Sequence, residues 1–542
     1  MRHPRLPLVL RKDDHLVVAV YDEDGAALTE LTGDSANVYT GDYRECEVCL
    51  NPARPGMFAH ATTTHLRCSQ IEISHAEGEA DGGFTTRCLF EQAMPHVVIE
   101  MAFSPRGKYL VTYAMMDPKR TPDGNLSIFD LAAGGALVVR SAQTRWPAVA
   151  WTATEEFLVR PMQGWLHVLA GHPTREESAP SAPEENGRAG GGFPCLSKID
   201  LMLAQDKEFT FSTSTRADLP LLALFKPFYK NQQASLLLYR LPNLQEGPLY
   251  QVPFGRSEAA RVLWSHSGHH LALLAQSERD ARAKSYYETI SLHLIDVLKR
   301  RTTSIRLTEE GETVHDARWS PTPQDELLVV HGKMPRNQTT LFGPTGAKLL
   351  SLGEAPRNRG LWAPNAAGFV LGGSGNLAGD YVFYAYAAGK GEARRPPRGE
   401  SPAAPSLPVS TGAFNEKCSL QEWAPDSHHF LCATLFTRLR MDNKVVIFKK
   451  NGARVVTVRY PALYGAHWVG LRSPGDFPLR APSPRAGEGE GEQKPRAYCP
   501  PGGTSTRAAA LLRRQDPAVP SSTTASAGPV GAVLVQKRKK KR

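Results

Sequence analysis

No stretch of this 542-residue chain is apolar for long enough to cross a bilayer. A spanning helix needs about 20 consecutive apolar residues, and runs such as residues 219–225 are far shorter. The apolar run 6–10, behind Arg2 and Arg5, is too short for a signal-peptide core, and Arg11, Lys12, Asp13 and Asp14 follow it at once. The expected location is therefore the cytoplasm, with no membrane partner. Cysteine is sparse. Eight residues (Cys46, Cys49, Cys68, Cys88, Cys195, Cys418, Cys432 and Cys499) are spread through the chain and are expected to be free thiols. Cys46-Glu-Val-Cys49 has metal-ligand spacing, with His60, His65 and His75 nearby, but no second Cys-x-x-Cys completes a structural zinc site. Buried thiols, and no metal, are the expectation.

Catalytic signatures are missing as well. There is no Gly-x-Ser-x-Gly elbow. Residues 343–348 lack P-loop spacing, and the glycine-rich run 372–379 leads into a second strand-like run at 381–386, so it reads as a hairpin turn and not a phosphate cradle. No catalytic residue and no cofactor is expected.

What the chain has is an uneven charge. The net charge is +10. Residues 471–542 hold 14 of the 64 Lys and Arg but only 5 of the 54 Asp and Glu, a net +9 that leaves about +1 for residues 1–470. The last six residues, Lys537, Arg538, Lys539, Lys540, Lys541 and Arg542, are all basic. A basic tail on a neutral body points to a polyanionic partner, nucleic acid being the commonest. These six residues are the candidates for sequence-independent phosphate contact. Residues 171–193, 389–410 and 471–536 are rich in Pro, Ser, Gly, Glu or Arg and lack the apolar content that ordering requires. The expected organisation is a body over 1–470, with disordered rim insertions near 171–193 and 389–410, and a disordered basic tail over 471–542.

It also has a repeat. An aromatic residue ends an apolar strand, a short turn follows, often with Pro two residues on, and a second apolar strand begins. The clearest copies are Phe103-Ser-Pro105, Trp319-Ser-Pro321, Trp362-Ala-Pro364 and Trp423-Ala-Pro425. Trp264-Ser-His-Ser-Gly268 is the same unit without the proline, Trp151 and Cys49 open weaker units, Leu203 is assigned to a strand at 199–203, and Trp468 closes the series. Proline presets a turn and cannot continue a central strand, while Gly107, Gly268 and Asp426 suit tight turn conformations. Nine markers at spacings of about 40–60 residues, holding six of the eight tryptophans, are the signature of propeller blades, each too thin to bury both faces alone. The expected fold is all-β, a nine-bladed propeller with Phe103, Trp151, Trp264, Trp319, Trp362, Trp423 and Trp468 as blade core markers.

The second half resembles the eukaryotic translation initiation factor 2A family. The resemblance is carried by Ser285-Tyr-Tyr287, by Lys333-Met-Pro335, by Pro356-Arg-Asn358 with Trp362-x-Pro364 and Gly375-Asn-Leu377, and by Trp423-Ala-Pro-Asp426 with Thr437-Arg-Leu-Arg-Met-Asp-Asn443. Order and spacing agree over residues 285–452. The resemblance implies a nine-bladed propeller with a basic C-terminal region that works as a monomer in translation initiation, with the small ribosomal subunit, initiator tRNA and mRNA, and other initiation factors as partners. Arg357, Arg438 and Arg440, which match the motifs, join the six tail residues as candidate nucleic-acid contacts. The family usually carries a longer basic stretch after Tyr-x-Pro-Pro, whereas here Tyr498-Cys-Pro-Pro501 leads into a Ser/Ala/Gly-rich run. The alternatives are a propeller scaffold for protein partners, or a component like the b-type subunit of initiation factor 3. That protein carries an N-terminal RNA-recognition domain, for which a first blade entered by about residue 50 leaves no room.

Overall fold

The computed structural model describes residues 5–74, 83–117, 121, 123–173, 192–203, 207–277, 289–307, 313–386, 407–478 and 480. The chain divides into a compact unit, 1–488, and a second unit, 489–542. Every strand among the described residues lies in the first.

That unit is a β-propeller of nine sheets. Its described residues contain no α-helix, and none of their helices is long and apolar enough to cross a membrane. Eight blades are local meanders of four antiparallel strands. Their first strands are Cys49–Leu50, Val98–Phe103, Ala150–Trp151, Thr210–Thr213, Ser257–Trp264, Val314–Trp319, Arg359–Trp362 and Leu420–Trp423, opening blades 2 to 9. First strands of successive blades lie against one another and line the axis. Blade 1 is different. Leu6–Arg11, His15–Asp22 and Ala27–Glu30 supply its outer strands, and Gly465–Trp468 supplies the innermost. The two ends of the unit are thus hydrogen-bonded, with Leu8 opposite Trp468 and Arg11 opposite Gly465.

The marker residues have one structural job. Each ends a first strand and pairs across the hairpin: Phe103 with Leu110, Trp151 with Leu158, Trp264 with Leu271, Trp319 with Leu327, Trp362 with Phe369 and Trp423 with Phe430. The hydroxyl that comes next closes the turn where it is present, since Ser104 Oγ accepts from Tyr109 N at 2.9 Å and Thr152 Oγ1 from Phe157 N at 3.0 Å. Three indoles also stitch neighbouring blades. Trp319 Nε1 donates to Leu263 O at 2.9 Å, Trp362 Nε1 to Arg318 O at 3.1 Å and Trp423 Nε1 to Leu361 O at 3.0 Å. Each acceptor precedes the preceding blade's marker. Trp423→Phe keeps the ring packing but strips Leu361 O of this donor. We expect a loss of about 1–2 kcal/mol, read as a lowered urea midpoint with an unchanged slope.

Nine apolar clusters fill the wedges between blades, and they differ in size. The wedge between blades 9 and 1 buries seventeen apolar residues, Trp468 among them, whereas that between blades 7 and 8 buries four. The closure seam is therefore the most heavily packed interface of the ring.

Three expectations need correction. Residues 199–203 are not the start of blade 5: the strand there is Cys195–Asp200, the outer edge of blade 4, and blade 5 opens at Thr210–Thr213, which has no aromatic marker. The chain enters its first blade at Leu6, so Cys49 opens the second unit of the ring and not the first, and Trp468 belongs to the first. In the turn of blade 9 the left-handed residue is Ser427 (φ 55°), while the carboxylate of Asp426 accepts from the N–H groups of His428 and His429 at 2.9 and 3.1 Å. Both insertions fall between the third and fourth strands of a blade, blade 4 and blade 8. Residues 174–191 and 389–406 within them, and the Ser285–Tyr287 motif, lie outside the described residues.

Candidate nucleic-acid interface

In an antiparallel meander, the turns from second to third strand lie at the same end as the connectors that lead to the next blade. The motif residues of blades 7 to 9 fall at this connector end, apart from Trp362-x-Pro364 and Trp423-Ala-Pro-Asp426, which form first-to-second-strand turns at the other. Lys333-Met-Pro335-Arg336 is the turn between Leu327–His331 and Gln338–Phe342, and 356–358 connects blade 7 to blade 8. Residues 373–379 and 435–443 are the corresponding turns of blades 8 and 9.

The three arginines of this region that the motifs single out do not behave alike. Arg357 is half-buried. Its N–H donates to Asn337 Oδ1 at 3.1 Å, Asn337 Nδ2 donates back to Arg357 O, and the guanidinium reaches Leu352 O and Tyr384 Oη, each at 3.5 Å. Arg357 thus braces a turn. Asn358 does the same for the glycine-rich loop, bracketing Ser374 through its N–H (2.9 Å) and carbonyl (3.0 Å). That loop is a hairpin turn between antiparallel strands. At Gly379 (φ 89°) a side chain would strike Glu416 O at 2.5 Å, so the loop packs on its own blade's outer edge and does not open toward a ligand.

In blade 9, buried Asn443 ties down the base of its loop, Nδ2 donating to Leu439 O at 2.7 Å. Asp442 is held by Lys444 at 3.0 Å and Arg459 at 3.3 Å. From this base the tip projects: Arg438 and Arg440 are exposed, with Leu439 and Met441 46% and 70% exposed between and beside them. Arg438 Nη2 donates to Asn376 Oδ1 at 3.1 Å, which joins the tips of blades 8 and 9. Lys333, Arg336, Arg359 and Lys417 are exposed at the same end. None of these six cations forms an ion pair among the described residues. The acids nearby are mostly engaged. Buried Glu416 holds Lys444 at 3.0 Å and Arg454 at 2.7 Å, leaving Glu354 and Asp380, whose partners are the amides of Gln338 and Asn415. The connector end of blades 7 to 9 therefore carries an excess of free positive charge flanked by exposed apolar tips. The six tail residues, Lys537 to Arg542, lie outside the described residues.

Other candidate chemistry is absorbed by the fold. The Cys46 and Cys68 thiols are buried, and burial pushes each up to about 12, far from the thiolate a metal needs. His60 is spoken for, its ring nitrogens bonding Tyr43 Oη and Ser69 Oγ, both at 3.1 Å. Among the described residues one cluster, Glu23 with His428 and His429, has the spacing of metal ligands. Its charges are already matched: Lys449 sits 3.0 Å from Glu23, Arg480 bonds its other oxygen, and Asp426 Oδ2 lies 2.7 Å from His429 Nδ1. The cluster is a polar clamp on the seam of blades 9 and 1, and the strand's continuation through Arg480 is part of it. Burial opposes the charge on Glu23, yet Arg480 and Lys449 hold its carboxyl down to about 2. Asp426, likewise opposed by burial, is held to about 2 by His429. Burial, then His429 and Lys450, lower His428 to about 3, and burial lowers His60 to about 3. All four groups bind protons more readily when unfolded, so stability is lost as pH falls. We expect the loss to begin below about 6.5, through the two histidines, and to steepen below about 4 as the carboxylates join. A Tm that stays flat from pH 7 to 3 contradicts this.

The sequence of residues 253–392 and 410–466 matches the family model described as eukaryotic translation initiation factor eIF2A. The chain is 28% identical to eukaryotic translation initiation factor 2A of Dictyostelium discoideum across 77% of its length, and 26% identical to that of Schizosaccharomyces pombe across 88%. The chain is thus similar to the eukaryotic translation initiation factor 2A family. It spans 62% of the Dictyostelium protein and 76% of the fission-yeast one. A crystal structure of the eukaryotic initiation factor is similar in fold, with a TM-score of 0.61 and 21% identity over 86% of this chain and 99% of that one. The b-type subunit of initiation factor 3 from Arabidopsis thaliana is 23% identical over 57% of this chain and 44% of its own length. All six free cations fall in the two stretches that match the family model. Two buried cations of the connector end, Arg11 and Arg160, escaped the sequence reading. The available signal was a lone Arg at the end of, or inside, an apolar strand.

Proposed function

We propose that the chain is a translation initiation factor that works by binding and not by catalysis. In this reading the connector end of blades 7 to 9 docks on the small ribosomal subunit and contacts initiator tRNA and mRNA, with other initiation factors as further partners. Lys537, Arg538, Lys539, Lys540, Lys541 and Arg542 add a sequence-independent pull on phosphates. The protein acts as a cytoplasmic monomer. The observation that carries the reading is the set of six free cations, Lys333, Arg336, Arg359, Lys417, Arg438 and Arg440, on the blades that match the family model. Their rigid presentation suits a docking surface, because loops on a propeller are fixed by the blades beneath them. The names of the family's curated members support the role in initiation.

Removal of 489–542 tests the tail. Truncation at 488 spares Arg480 and the seam, so the propeller is expected to melt as the full chain does. Binding to single-stranded RNA should weaken and the slope of its salt dependence should flatten. Equal affinities for the two proteins across a salt series contradict the role given to the tail.

A further inference from the structure

A buried cation with no counter-ion among the described residues sits where blade 3 meets blade 4, at the connector end. Arg160, in the second strand of blade 4 (Phe157–Met162), is 5% exposed. Its Nε and Nη2 both donate to Gln143 Oε1 at 3.3 Å, and Nη2 also to Ser141 Oγ and Ala142 O. Every one of these acceptors is neutral. No carboxylate pairs with Arg160 among the described residues, and burial alone lowers it to about 10, so it remains charged at neutral pH. A desolvated charge left unpaired is strongly unfavourable unless something completes the site.

What the guanidinium faces is a cavity of about 860 Å³, within the range of small-molecule pockets. Arg145, Lys207, His167 and Phe209 also line it, and no carboxylate does among the described residues. The Arg145 guanidinium lies 5.2 Å over the Phe209 ring and donates to Lys207 O at 2.5 Å, which fixes one aromatic plate beside two further cations. Nδ1 of His167 is buried without a hydrogen-bond partner. The cavity continues past Arg145 and Phe209 into a second of about 550 Å³, whose one carboxylate among the described residues, Glu208, is exposed.

We propose that this groove binds a phosphate-bearing nucleotide, free or at the end of an RNA strand, with its phosphate at Arg160 and Lys207 and its base against Phe209. The positive charge calls for an anion, the buried arginine with its neutral neighbours supplies a preset fork, and the aromatic plate suits a base. Gln143 and Ser141 are positioning residues that hold the fork. The site is distinct from the loops of blades 7 to 9, so it stands or falls apart from the ribosomal reading.

The test is titration of the purified full chain with AMP, GMP, the matching nucleosides, inorganic phosphate, and tetranucleotides bearing a 5′-phosphate or a 5′-hydroxyl. Saturable binding is expected, at least tenfold tighter for a phosphorylated probe than for its unphosphorylated form. Arg160→Met, Lys207→Glu and Phe209→Ala should each weaken it tenfold or more. Lys207→Glu changes a partly exposed residue and should leave the thermal transition in place, so it decides the matter if Arg160→Met fails to fold. Preference for the phosphorylated tetranucleotide identifies an RNA end as the ligand, and preference for the mononucleotide identifies a free nucleotide. Absence of saturable binding, or binding that Lys207→Glu and Phe209→Ala leave unchanged, overturns the proposal.

Discussion

Replacing Trp468 by alanine is expected to destabilise the propeller by about 3–5 kcal/mol, the range for deleting a large buried aromatic. Trp468 is 1% exposed at the centre of the closure seam, and its strand is the one that joins the C-terminal stretch to the sheet of the N-terminal strands in blade 1. Its edge lies against the Tyr21 ring at 6.2 Å. Leu6, Leu8 and Leu10 from one end of the unit and Leu463 and Ala466 from the other share the same cluster. Local meanders hold blades 2 to 9 together from within, but blade 1 depends on a pairing between residues some 450 positions apart, whose loop-closure entropy must be overcome by packing. Folded proteins are typically stable by only about 5–15 kcal/mol, so the loss is a large fraction of the total. It should also be local in its first consequences. Limited proteolysis of Trp468→Ala is expected to cut between residues 22 and 49 before it cuts within blades 3 to 8. A variant that melts with the parent and resists protease equally shows that closure does not depend on this side chain.

Reversing charge at Lys333, Arg336, Arg438 and Arg440 together is expected to lower affinity for single-stranded RNA on the order of a hundredfold and to reduce the salt slope by about 3. All four residues are exposed at loop tips, so the melting temperature should hold. Arg357→Ala provides the contrast. That side chain braces Tyr384 and the backbone of Leu352, so its loss should cost stability and leave the salt slope alone. Measurement of RNA binding across a salt series, beside thermal melts of both variants, checks the pair of expectations. A quadruple variant with the parental salt slope contradicts the assignment of this surface.

The blade count was legible because six tryptophans and Phe103 end innermost strands, where all but Trp468 pair across a hairpin and three stitch to the blade before. Blade 5 was misplaced for the converse reason. Its first strand, Thr210–Thr213, carries no aromatic marker, and Thr213 joins Trp151 O of blade 4 through a hydroxyl that leaves no distinctive pattern. The start of the ring was misread because the strands of 6–30 find their missing partner only at 465–468, a pairing that no local periodicity encodes. At the candidate interface the motifs lie in the loops that present the exposed cations, but they could not separate a brace from an exposed tip. Arg357 and Arg440 look alike in sequence, and only the positions of Asn337 and Tyr384 make one a brace. Arg160 did not stand out in the sequence because its setting, neutral acceptors and no carboxylate among the described residues, leaves no local pattern.

The most direct test of the initiation-factor reading is sedimentation of tagged full-length protein and of the Lys333→Glu/Arg336→Glu/Arg438→Glu/Arg440→Glu variant through sucrose gradients of cell lysate, with and without RNase. The account predicts that the parent co-migrates with free small ribosomal subunits while the equally folded variant shifts to the top of the gradient. A parent that stays at the top, unaffected by RNase, or a variant that co-sediments as the parent does, would contradict it.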